Sequence, residues 1–277
     1  MSIQPITDAP RPFLKWLGGK TQLLPELLKH APKSFERYHE PFLGGGALFF
    51  ALRPKIAFLS DANPWLVNAY CCVRDEINPL LQLLHHHQCK HHEIDGFYYA
   101  IRERFNQGTC SRLEGAAAFI YLNKTCFNGL WRVNRSGAFN VPKGSYKNPT
   151  VCDEVNLRRC SRALDNASII CSDFSIPQEQ PTLCDFWYAD PPYIPVSATS
   201  NFTGYTQAGF GLSDQRRLRD YAFDLKTKGV NVLLSNAAVS AAIDLYYNGF
   251  MLHEVDARRN VNSKADRRGV VKELVIS

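Results

Sequence analysis

Four consecutive residues, Asp190-Pro191-Pro192-Tyr193, form the motif with the clearest chemical meaning and are called the DPPY tetrad below. The exocyclic amine of a nucleic-acid base is a poor nucleophile because its lone pair is delocalised into the ring. The Asp190 carboxylate and the Pro191 carbonyl can each accept one N–H of such an amine and aim its lone pair at an electrophilic methyl group. The prolines stiffen the turn and donate no competing N–H, and the Tyr193 ring offers a stacking face for an extruded base. The tetrad favours methyl transfer to a base amine, with an ordinary strand-to-loop turn as the alternative.

A glycine-rich turn lies near the N-terminus. Residues 37–42 read as a strand, and Leu43-Gly44-Gly45-Gly46 leads from it into a short apolar helix at Ala47–Leu52. Such a turn lets the backbone approach a ligand closely. The dinucleotide-binding pattern G-x-G-x-x-G is incomplete, because Phe49 stands where the third glycine would be, so a dinucleotide site is poorly supported.

An acidic residue ends the next apolar run. Residues 55–59 predict a second strand, which is followed by Asp61 in the sequence Ser-Asp-Ala-Asn. A carboxylate at the end of a strand beside the glycine-rich turn is placed to accept hydrogen bonds from ribose hydroxyls. Together with the DPPY tetrad, this favours S-adenosylmethionine as an adenosine-bearing methyl donor.

The segment at residues 13–21 ends in Gly-Gly-Lys-Thr and could be mistaken for a phosphate-binding P-loop. That motif needs a glycine six residues before the lysine, and Leu14 occupies this place before Lys20. We therefore reject a nucleotide-triphosphate site. The aromatic Trp16, two glycines and Lys20 remain, and they suit a small charged ligand such as the methionine end of the donor.

The order of predicted elements indicates an α/β fold with a helical insert. Residues 64–122 show helical periodicity and few strand signals, and a polar stretch at residues 128–147 contains a hairpin turn at Ser136-Gly137. Alternation of helices and strands then resumes. The later predicted elements are helix 151–164, strand 167–171, a helix capped by Ser213 and stopped by Gly229, strand 230–234, helix 239–247, strand 250–255 and strand 271–276.

Six motifs occur in order from about residue 13 to the C-terminal part of the chain: KWLGGK, EPFLGGG, SDAN, NKTCFNGLWRVNRSGAFNVPKG, ADPPY and NFTGY. Together they resemble the adenine-specific DNA methyltransferases, nearest to the GATC-recognising DNA adenine methylases. The resemblance implies a Rossmann-like S-adenosylmethionine-dependent methyltransferase sheet with an inserted, mainly helical target-recognition domain. We place the catalytic domain at residues 1–63 and 156–277, and the DNA target-recognition domain at residues 64–155.

The resemblance also implies roles for individual residues. In that family the donor is held by residues that match Trp16, Lys20, Asp61 and Asp190, and the target adenine is held by the DPPY tetrad. The predicted catalytic residues are Asp190, Pro191, Pro192 and Tyr193. The predicted cofactor-binding residues are Trp16, Lys20, Phe42, Gly44, Asp61, Asp173 and Asp190.

A short stretch of the insert, residues 127–135, combines aromatic, amide and guanidinium side chains. Arginine can contact guanine with two hydrogen bonds, apolar groups can meet a thymine methyl, and an aromatic ring can fill the gap left by a flipped base. By resemblance, Lys15 and Arg132 read guanines, Leu130 and Pro142 contact thymine, Phe127 fills the gap, and Asn128 and Asn140 contact the site or its backbone. For Trp131 we favour a place in the core of the insert.

One position in the insert departs from the family pattern. Ser145 stands where relatives carry an arginine. The loss of that cation predicts a weaker grip on DNA.

Three further segments invite interpretation. The cluster at residues 85–92 contains five histidines but lacks the paired spacing of a structural zinc site, so we expect a solvated helix end and no metal. Basic residues at 258–268 are expected to follow DNA phosphates. The motif at residues 201–205 is expected to form a loop that closes over the adenine.

Composition agrees with these interpretations. The chain has 277 residues, 45% of them hydrophobic, which suffices for one large domain and a smaller one. A net charge of +6 favours a polyanionic partner, here double-stranded DNA. The nine cysteines form no C-x-x-C pair and no apolar leader or membrane span is visible, so we expect a cytoplasmic monomer that does not bind membranes.

The sequence thus predicts a site-specific DNA methyltransferase that moves a methyl group from S-adenosylmethionine to the 6-amino group of a flipped adenine in GATC. Methylation of the cytosine 4-amino group is the enzymatic alternative, because similar tetrads serve that reaction. The non-enzymatic alternative is a DNA-binding protein that has lost catalysis and only recognises its site.

Overall fold

The computed structural model describes residues 9–194, 209–258 and 270–277. The chain divides into two compact units. The helical unit comprises residues 1–19, 44–53 and 63–169, and the sheet unit comprises residues 20–43, 54–62 and 170–277. Each unit is therefore built from segments that are far apart in the sequence.

The sheet unit is organised around a seven-stranded sheet with the order β3-β2-β1-β4-β5-β7-β6. The strands are β1 (Tyr38–Glu40), β2 (Ala57–Asp61), β3 (Ala167–Cys171), β4 (Phe186–Ala189), β5 (Asn231–Ala237), β6 (Leu252–Arg258) and β7 (Val270–Ile276). The boundary between the two units runs through β3. β1 pairs in parallel with β2 and β4, and β4 pairs in parallel with β5. β7 is antiparallel to both β5 and β6.

This strand order positions the predicted site. The chain runs from β1 outward to β2 and β3 and then returns to the other side of β1 as β4. The order of the strands reverses between β1 and β4, and ligands of open α/β sheets bind beyond the carboxyl ends of the strands at such a point. Asp61 at the end of β2 and Asp190 directly after β4 both belong to this edge.

Helices α1 (Leu24–His30), α8 (Leu212–Thr227) and α9 (Ser240–Tyr246) complete the described part of the sheet unit, together with a 3-10 turn at Lys20–Gln22. α8 and α9 bury apolar side chains in one cluster with β4, β5 and β7. Members of this cluster include Trp187, Leu218, Leu234, Tyr246 and Ile276. Each of these side chains is at most 1% exposed, so the strands that carry the tetrad rest on a closely packed core.

An ion pair connects the N-terminal ends of β1 and β4, at the edge of the sheet opposite the predicted site. Asp185 is fully buried just before β4, and Nη2 of Arg37 lies 2.7 Å from its Oδ2 atom. Nε2 of His39 lies 3.2 Å from the same carboxylate. Burial lowers the pKa of His39, although Asp185 opposes this shift. Arg37 as a charged partner and His39 as a hydrogen-bonded partner explain how Asp185 tolerates burial.

The helical unit contains α2 (Ala47–Leu52), α3 (Pro64–Asp75), α4 (Ile77–Glu93), α5 (Phe97–Asn106), α6 (Arg112–Thr125) and α7 (Glu154–Leu164). α6 begins with a capping box, in which the Ser111 hydroxyl accepts from the Glu114 N–H and the Glu114 carboxylate accepts from the Ser111 N–H. α6 buries residues on all sides, including three consecutive alanines, and contacts α3, α4 and α5. It therefore forms the central element of this unit.

The structure confirms the predicted α/β class with an inserted helical segment. The Ser136-Gly137 turn is also confirmed, because Val133 and Phe139 form an antiparallel bridge around it and Gly137 has a φ of 81°. The prediction that Ser213 caps α8 is wrong. The N-cap is Gly211, whose N–H donates to the Asp214 carboxylate over 3.0 Å, so Ser213 lies inside the first turn.

Two predicted segments lie outside the described residues: the adenine loop at residues 201–205, and residues 259–268 of the basic segment. Within the described ranges, no helix is both long and apolar enough to cross a membrane.

Candidate active site

The centre of the candidate site is an ion pair between Lys20 and Asp190. Nζ of Lys20 lies 2.8 Å from Oδ1 of Asp190. Lys20 begins the 3-10 turn of the sheet unit and is 5% exposed, and the Asp190 side chain is 20% exposed at the end of β4. A buried ammonium group is costly unless it is paired, so this contact holds both side chains in place.

Burial changes the acidity of Asp190. Loss of solvent raises its pKa from 3.8 to about 6, and the neighbouring Glu273 adds to this shift, whereas Lys20 and the Tyr193 hydroxyl oppose it. A carboxylate with this pKa is ionised at neutral pH and still titrates in an accessible range. Perturbed acids of this kind are concentrated at functional sites.

Tyr193 belongs to the same cluster. Its hydroxyl donates to Oε2 of Glu273 over 2.7 Å, and Nζ of Lys20 lies 4.7 Å from the centre of its ring. Lys20, Asp190, Tyr193 and Glu273 are called the tetrad cluster below. Sequence reasoning missed Glu273, although a carboxylate within the otherwise apolar end of the last strand was a signal that could have identified it.

A second carboxylate that the sequence prediction missed lies at the end of β1. Glu40 is 2% exposed, and Oε2 of Glu40 accepts a hydrogen bond from the Tyr38 hydroxyl over 2.9 Å. Because β1 pairs with β4, this buried acid belongs to the same edge of the sheet as Asp190. Its position within the EPFLGGG motif was the available signal.

Asp61 and Asp173 lie at the ends of the next strands. Asp61 is half-buried at the last position of β2, and its carbonyl accepts from the Ser172 N–H over 3.3 Å. The Asp173 carboxylate, two residues beyond β3, accepts from Ser175 and from Arg217 over 2.5 and 2.9 Å. The Asp173 carboxylate thus makes hydrogen bonds within the protein, to Ser175 and Arg217.

Phe42 follows β1 and contributes an aromatic wall. Its ring stacks on Phe174 with centroids 5.6 Å apart, and Phe210 meets it edge-on at the same distance. Phe42 remains half-buried. A partly exposed aromatic surface beyond the carboxyl end of β1 suits a flat ring.

Within the helical unit, Trp16 and Gly44 lie in direct contact. Gly44 has a φ of 45°, and a Cβ atom at this position would lie 2.7 Å from Cδ1 of Trp16. Only glycine fits this conformation and this approach without rearrangement. The glycine-rich turn and the aromatic residue that the sequence assigned to the donor therefore lie together.

Lys15 is fixed to the centre of the helical unit. Asn123 of α6 is fully buried, and its Oδ1 atom accepts from the Lys15 N–H over 2.8 Å while its Nδ2 atom donates to the Lys15 carbonyl over 2.7 Å. Nζ of Lys15 lies 3.8 Å from the centre of the Tyr146 ring. The backbone of Lys15 is held at both polar groups.

The stretch around residues 127–142 forms a loop closed by hydrogen bonds. The Phe127 N–H donates to the Pro142 carbonyl over 2.9 Å, and Nε of Arg132 donates to Oδ1 of Asn140 over 2.8 Å. Phe127 is 46% exposed, and Pro142 and Arg132 are exposed. The structure therefore brings these predicted DNA-contacting residues onto one loop with free side-chain surface.

The other predicted residues of this loop differ in burial. Trp131 is 2% exposed and stacks on Phe139 at 4.8 Å, which confirms it as core. Asn128 is exposed with a left-handed φ of 54°, and Leu130 is half-buried. Ser145 is exposed, so an arginine at this position would meet no packing obstacle from burial.

The histidine cluster is solvated only in part. His87 and His91 of α4 are 9% and 8% exposed, whereas His85, His86 and His92 are exposed, so one face of this part of the helix is buried and the other is solvated. Nδ1 of His91 lies 2.8 Å from the Tyr121 hydroxyl, and burial lowers the pKa of His87 to about 4. Among the residues that the structure describes, no three His, Cys, Asp or Glu side chains are arranged to hold a metal ion.

Comparison with known proteins extends these observations. The sequence profile of the D12 class N6 adenine-specific DNA methyltransferases matches residues 16–261. The chain is 40% identical to the type II methyltransferase M.MjaIII of Methanocaldococcus jannaschii, in an alignment that covers 96% of this chain and 99% of that protein. It is 41% identical to the type II methyltransferase M1.LlaDCHI of Lactococcus lactis subsp. cremoris, with coverage of 96% and 95%. A DNA adenine methylase of Haemophilus influenzae is 35% identical, with coverage of 96% and 92%.

These matches agree with the α/β fold, and they cover the stretch of chain that contains the sheet edge. The family profile spans the turn that carries Lys20, the β2 end and the DPPY tetrad, and the relatives match nearly the whole chain. Methyltransferases of this kind in general use S-adenosylmethionine as the donor and DNA as the substrate. The match selects the adenine amine over the cytosine amine and an enzyme over a non-catalytic DNA-binding protein. The chain belongs to the D12 class of N6 adenine-specific DNA methyltransferases.

Proposed function

We propose that the protein flips an adenine out of a GATC site in double-stranded DNA and transfers a methyl group from S-adenosylmethionine to its 6-amino nitrogen. The observation that carries this proposal is the tetrad cluster. An ionisable, mostly buried carboxylate lies beside a fixed lysine and a fixed aromatic ring at the carboxyl end of β4.

Asp190 and Pro191 hold the amine in this proposal. The ionised Asp190 carboxylate accepts one N–H of the adenine amine, and the Pro191 carbonyl accepts the other. Both contacts draw the nitrogen towards tetrahedral geometry and expose its lone pair. After methyl transfer the amine carries a positive charge, which proton loss to water relieves.

S-adenosylmethionine supplies an electrophilic methyl group on a positively charged sulfur. The residues that would hold it are Trp16, Lys20, Phe42, Gly44, Asp61, Asp173 and Asp190. Their chemistry fits its parts: the Asp61 carboxylate suits ribose hydroxyls, and the half-buried ring of Phe42 suits an adenine. The close approach of Gly44 to Trp16 also favours a turn built for a ligand.

Tyr193 receives the flipped base. Its ring is held at the hydroxyl end by Glu273 and lies under the Lys20 ammonium. A ring whose orientation is fixed loses little entropy when a base stacks on it. A flipped adenine thereby meets a rigid surface next to the two acceptors that hold its amine.

Residues 64–155 are proposed as the DNA target-recognition domain, and residues 1–63 and 156–277 as the catalytic domain. Recognition uses the exposed face of the loop at residues 127–142 and Lys15. Lys15 and Arg132 contact guanines, Leu130 and Pro142 contact thymine, Phe127 fills the gap left by the flipped adenine, and Asn128 and Asn140 contact the site or its backbone.

Methylation of GATC is tested with DNA from cells that express the protein. Two nucleases are used, one that cuts GATC only when it is unmethylated and one that cuts it only when it is methylated. We expect resistance to the first and sensitivity to the second. Cells that express Asp190→Ala serve as the matched control. Full sensitivity to the first nuclease in cells with folded wild-type protein would reject GATC as the site.

Two further measurements separate the parts of the proposal. Mass spectrometry of the hydrolysed DNA distinguishes N6-methyladenine from N4-methylcytosine. An oligonucleotide with 2-aminopurine at the target position reports flipping, because its fluorescence rises when the base leaves the stack. We expect N6-methyladenine and a fluorescence increase on binding, and unchanged fluorescence in the bound complex would contradict flipping.

A further inference from the structure

A pair of buried amide side chains connects the DPPY tetrad to the body of the sheet unit. Gln215 of α8 is 2% exposed, and Asn236 of β5 is fully buried. Nε2 of Gln215 donates to the Pro192 carbonyl over 2.6 Å. Nδ2 of Asn236 donates to Oε1 of Gln215 over 3.1 Å, and Oδ1 of Asn236 accepts from the Ile194 N–H over 3.2 Å. Gln215 and Asn236 are called the amide bracket below.

The bracket has one possible orientation. A backbone carbonyl can only accept, so the Pro192 end requires the NH2 group of Gln215. A backbone N–H can only donate, so the Ile194 end requires the oxygen of Asn236. With both ends fixed, the remaining oxygen of Gln215 must face the remaining NH2 group of Asn236, which is the contact observed.

The bracket fixes the backbone on both sides of Tyr193. The Pro192 carbonyl belongs to the peptide group before Tyr193, and the Ile194 N–H belongs to the peptide group after it. Two anchored peptide groups determine φ and ψ of Tyr193, and the prolines before it already have restricted φ values. The Tyr193 hydroxyl has a third anchor in Glu273.

The bracket also leaves the proposed acceptors to the substrate. It uses the Pro192 carbonyl and the Ile194 N–H, and it does not use the Pro191 carbonyl or the Asp190 carboxylate. The Pro191 carbonyl, the proposed acceptor, belongs to the peptide group between residues 191 and 192. The hydrogen bond to the Pro192 carbonyl orients the next peptide group along the chain. The position of the Pro191 carbonyl is thereby set from its C-terminal side.

We propose that Gln215 and Asn236 are positioning residues for methyl transfer, because together they hold the Pro191 carbonyl and the Tyr193 ring in the geometry that the adenine amine requires. This inference rests on the proposed function of the tetrad. Neither side chain needs to touch the substrate. Buried polar groups that are mutually satisfied can rigidify a site in this way.

The test compares Gln215→Met and Asn236→Leu, alone and combined, with wild type. Single-turnover methylation is measured with saturating donor and DNA, and the dissociation constants of both ligands are measured separately. We expect the transfer rate to fall by about tenfold or more, since small misplacements of reacting groups cost this much. Both dissociation constants should stay within about twofold of wild type, because the bracket touches neither ligand. The double variant should be no slower than the slower single variant, since the two amides act as one unit.

Asn231 provides a matched control for stability. It lies on the same strand, and its Nδ2 atom donates to the Asp185 carbonyl over 2.9 Å at the other end of β5. Asn231→Leu should lower the unfolding midpoint without slowing transfer. If Gln215→Met and Asn236→Leu do not fold, Gln215→Glu is used, because its carboxyl keeps an acceptor for Asn236 and only its ionised form lacks a donor for the Pro192 carbonyl. Its transfer rate relative to wild type should therefore fall as the pH rises.

The outcomes separate the bracket from the tetrad. A normal transfer rate in folded bracket variants, or a loss of ligand binding equal to the loss of rate, would overturn the positioning role. A transfer rate that falls equally in Asn231→Leu would do the same, since it would trace the effect to general destabilisation. Asp190→Ala is measured in parallel, and substantial transfer in that variant would reject the proposed function itself.

Discussion

The Lys20 ammonium lies 2.8 Å from the Asp190 carboxylate, and this short ion pair connects the N-terminal turn of the sheet unit to the DPPY tetrad. Each charge offsets the free-energy cost of burying the other. Lys20 is 5% exposed and needs a counter-charge, and Asp190 is partly removed from solvent and needs a cation to remain ionised near neutral pH. The tetrad thus keeps a charged acceptor where a neutral amine must be bound.

Replacement of Asp190 tests the central acceptor. Asp190→Ala should reduce methylation by more than about tenfold, because it removes a transition-state contact at the proposed reacting nitrogen. Folding of the variant is checked by its thermal unfolding midpoint, and methylation is measured at saturating donor, because Asp190 is also a proposed donor-binding residue. A methylation rate within about tenfold of wild type in such protein would reject the assigned role.

The pH dependence of the reaction follows from the acidity of Asp190. Burial raises its pKa to about 6, and only the ionised form can accept an N–H at both oxygens. The rate constant kcat/KM should therefore fall as the pH decreases through about 6. The stability effect has the opposite sign: the folded pKa lies above the unfolded value of 3.8, so this contribution to stability is present below pH 3.8 and is lost as the pH rises through about 6.

Glu273 provides a variant that tests this explanation. The titratable groups whose charges or hydrogen bonds change the pKa of Asp190, or whose own pKa Asp190 changes, are Lys20, Tyr38, Tyr188, Tyr193 and Glu273. Glu273→Gln keeps an acceptor for the Tyr193 hydroxyl but removes a negative charge that raises the pKa of Asp190. The acidic limb of the pH profile should move to lower pH. Glu254→Gln, an exposed site on the neighbouring strand, should leave the limb unchanged.

Asp61 is the residue proposed to bind the ribose of the donor. If Asp61 holds the ribose hydroxyls, Asp61→Ala should weaken donor binding by about 1.5–3 kcal/mol, the value of a hydrogen bond to a charged group. This corresponds to an increase in the donor dissociation constant of about 10- to 150-fold. DNA affinity should change much less. Calorimetry on Asp61→Ala and on the exposed control Asp220→Ala checks the prediction, and unchanged donor binding in the first would move the ribose site elsewhere.

Local sequence patterns predicted several elements closely. The helix after the glycine-rich turn, Ala47–Leu52, and the strand Ala167–Cys171 have the predicted bounds. Both are short apolar runs between strong turn signals, so neighbouring residues alone determine where they begin and end. The acceptor chemistry of the DPPY tetrad is likewise local, since its prolines and aspartate are adjacent.

Features that depend on distant residues could not be predicted in this way. Glu273 reaches Tyr193 across 80 residues, and the antiparallel pairing of β5 with β7 determines that contact. His91 is buried because Tyr121, 30 residues away on α6, provides its hydrogen bond. Composition near residue 91 suggested a solvated cluster, and only the packing of α4 on α6 shows that His87 and His91 are buried while their neighbours are exposed.

Sequence recognition is the subject of the last prediction. Arg132 is exposed on the loop at residues 127–142, and its Nε atom donates to Asn140, which leaves the terminal nitrogens to face a base. If Arg132 reads a guanine, Arg132→Ala should relax discrimination at that one base pair by about 1–3 kcal/mol. Methylation of oligonucleotides that contain every single-base variant of GATC, at fixed salt, measures this change.

Ser145→Arg is the matched variant, because it adds a proposed phosphate contact where Arg132→Ala removes a proposed base contact. An added arginine that contacts the DNA backbone should strengthen binding to all sequences alike and steepen the dependence of affinity on salt, because phosphate contacts carry no base information. The two variants must therefore differ in kind: Arg132→Ala changes the preference profile at one position, and Ser145→Arg raises affinity with the profile intact. An Arg132→Ala enzyme whose profile matches wild type would show that this arginine does not read the site. A wild-type enzyme that prefers an unrelated sequence would reject the GATC assignment together with it.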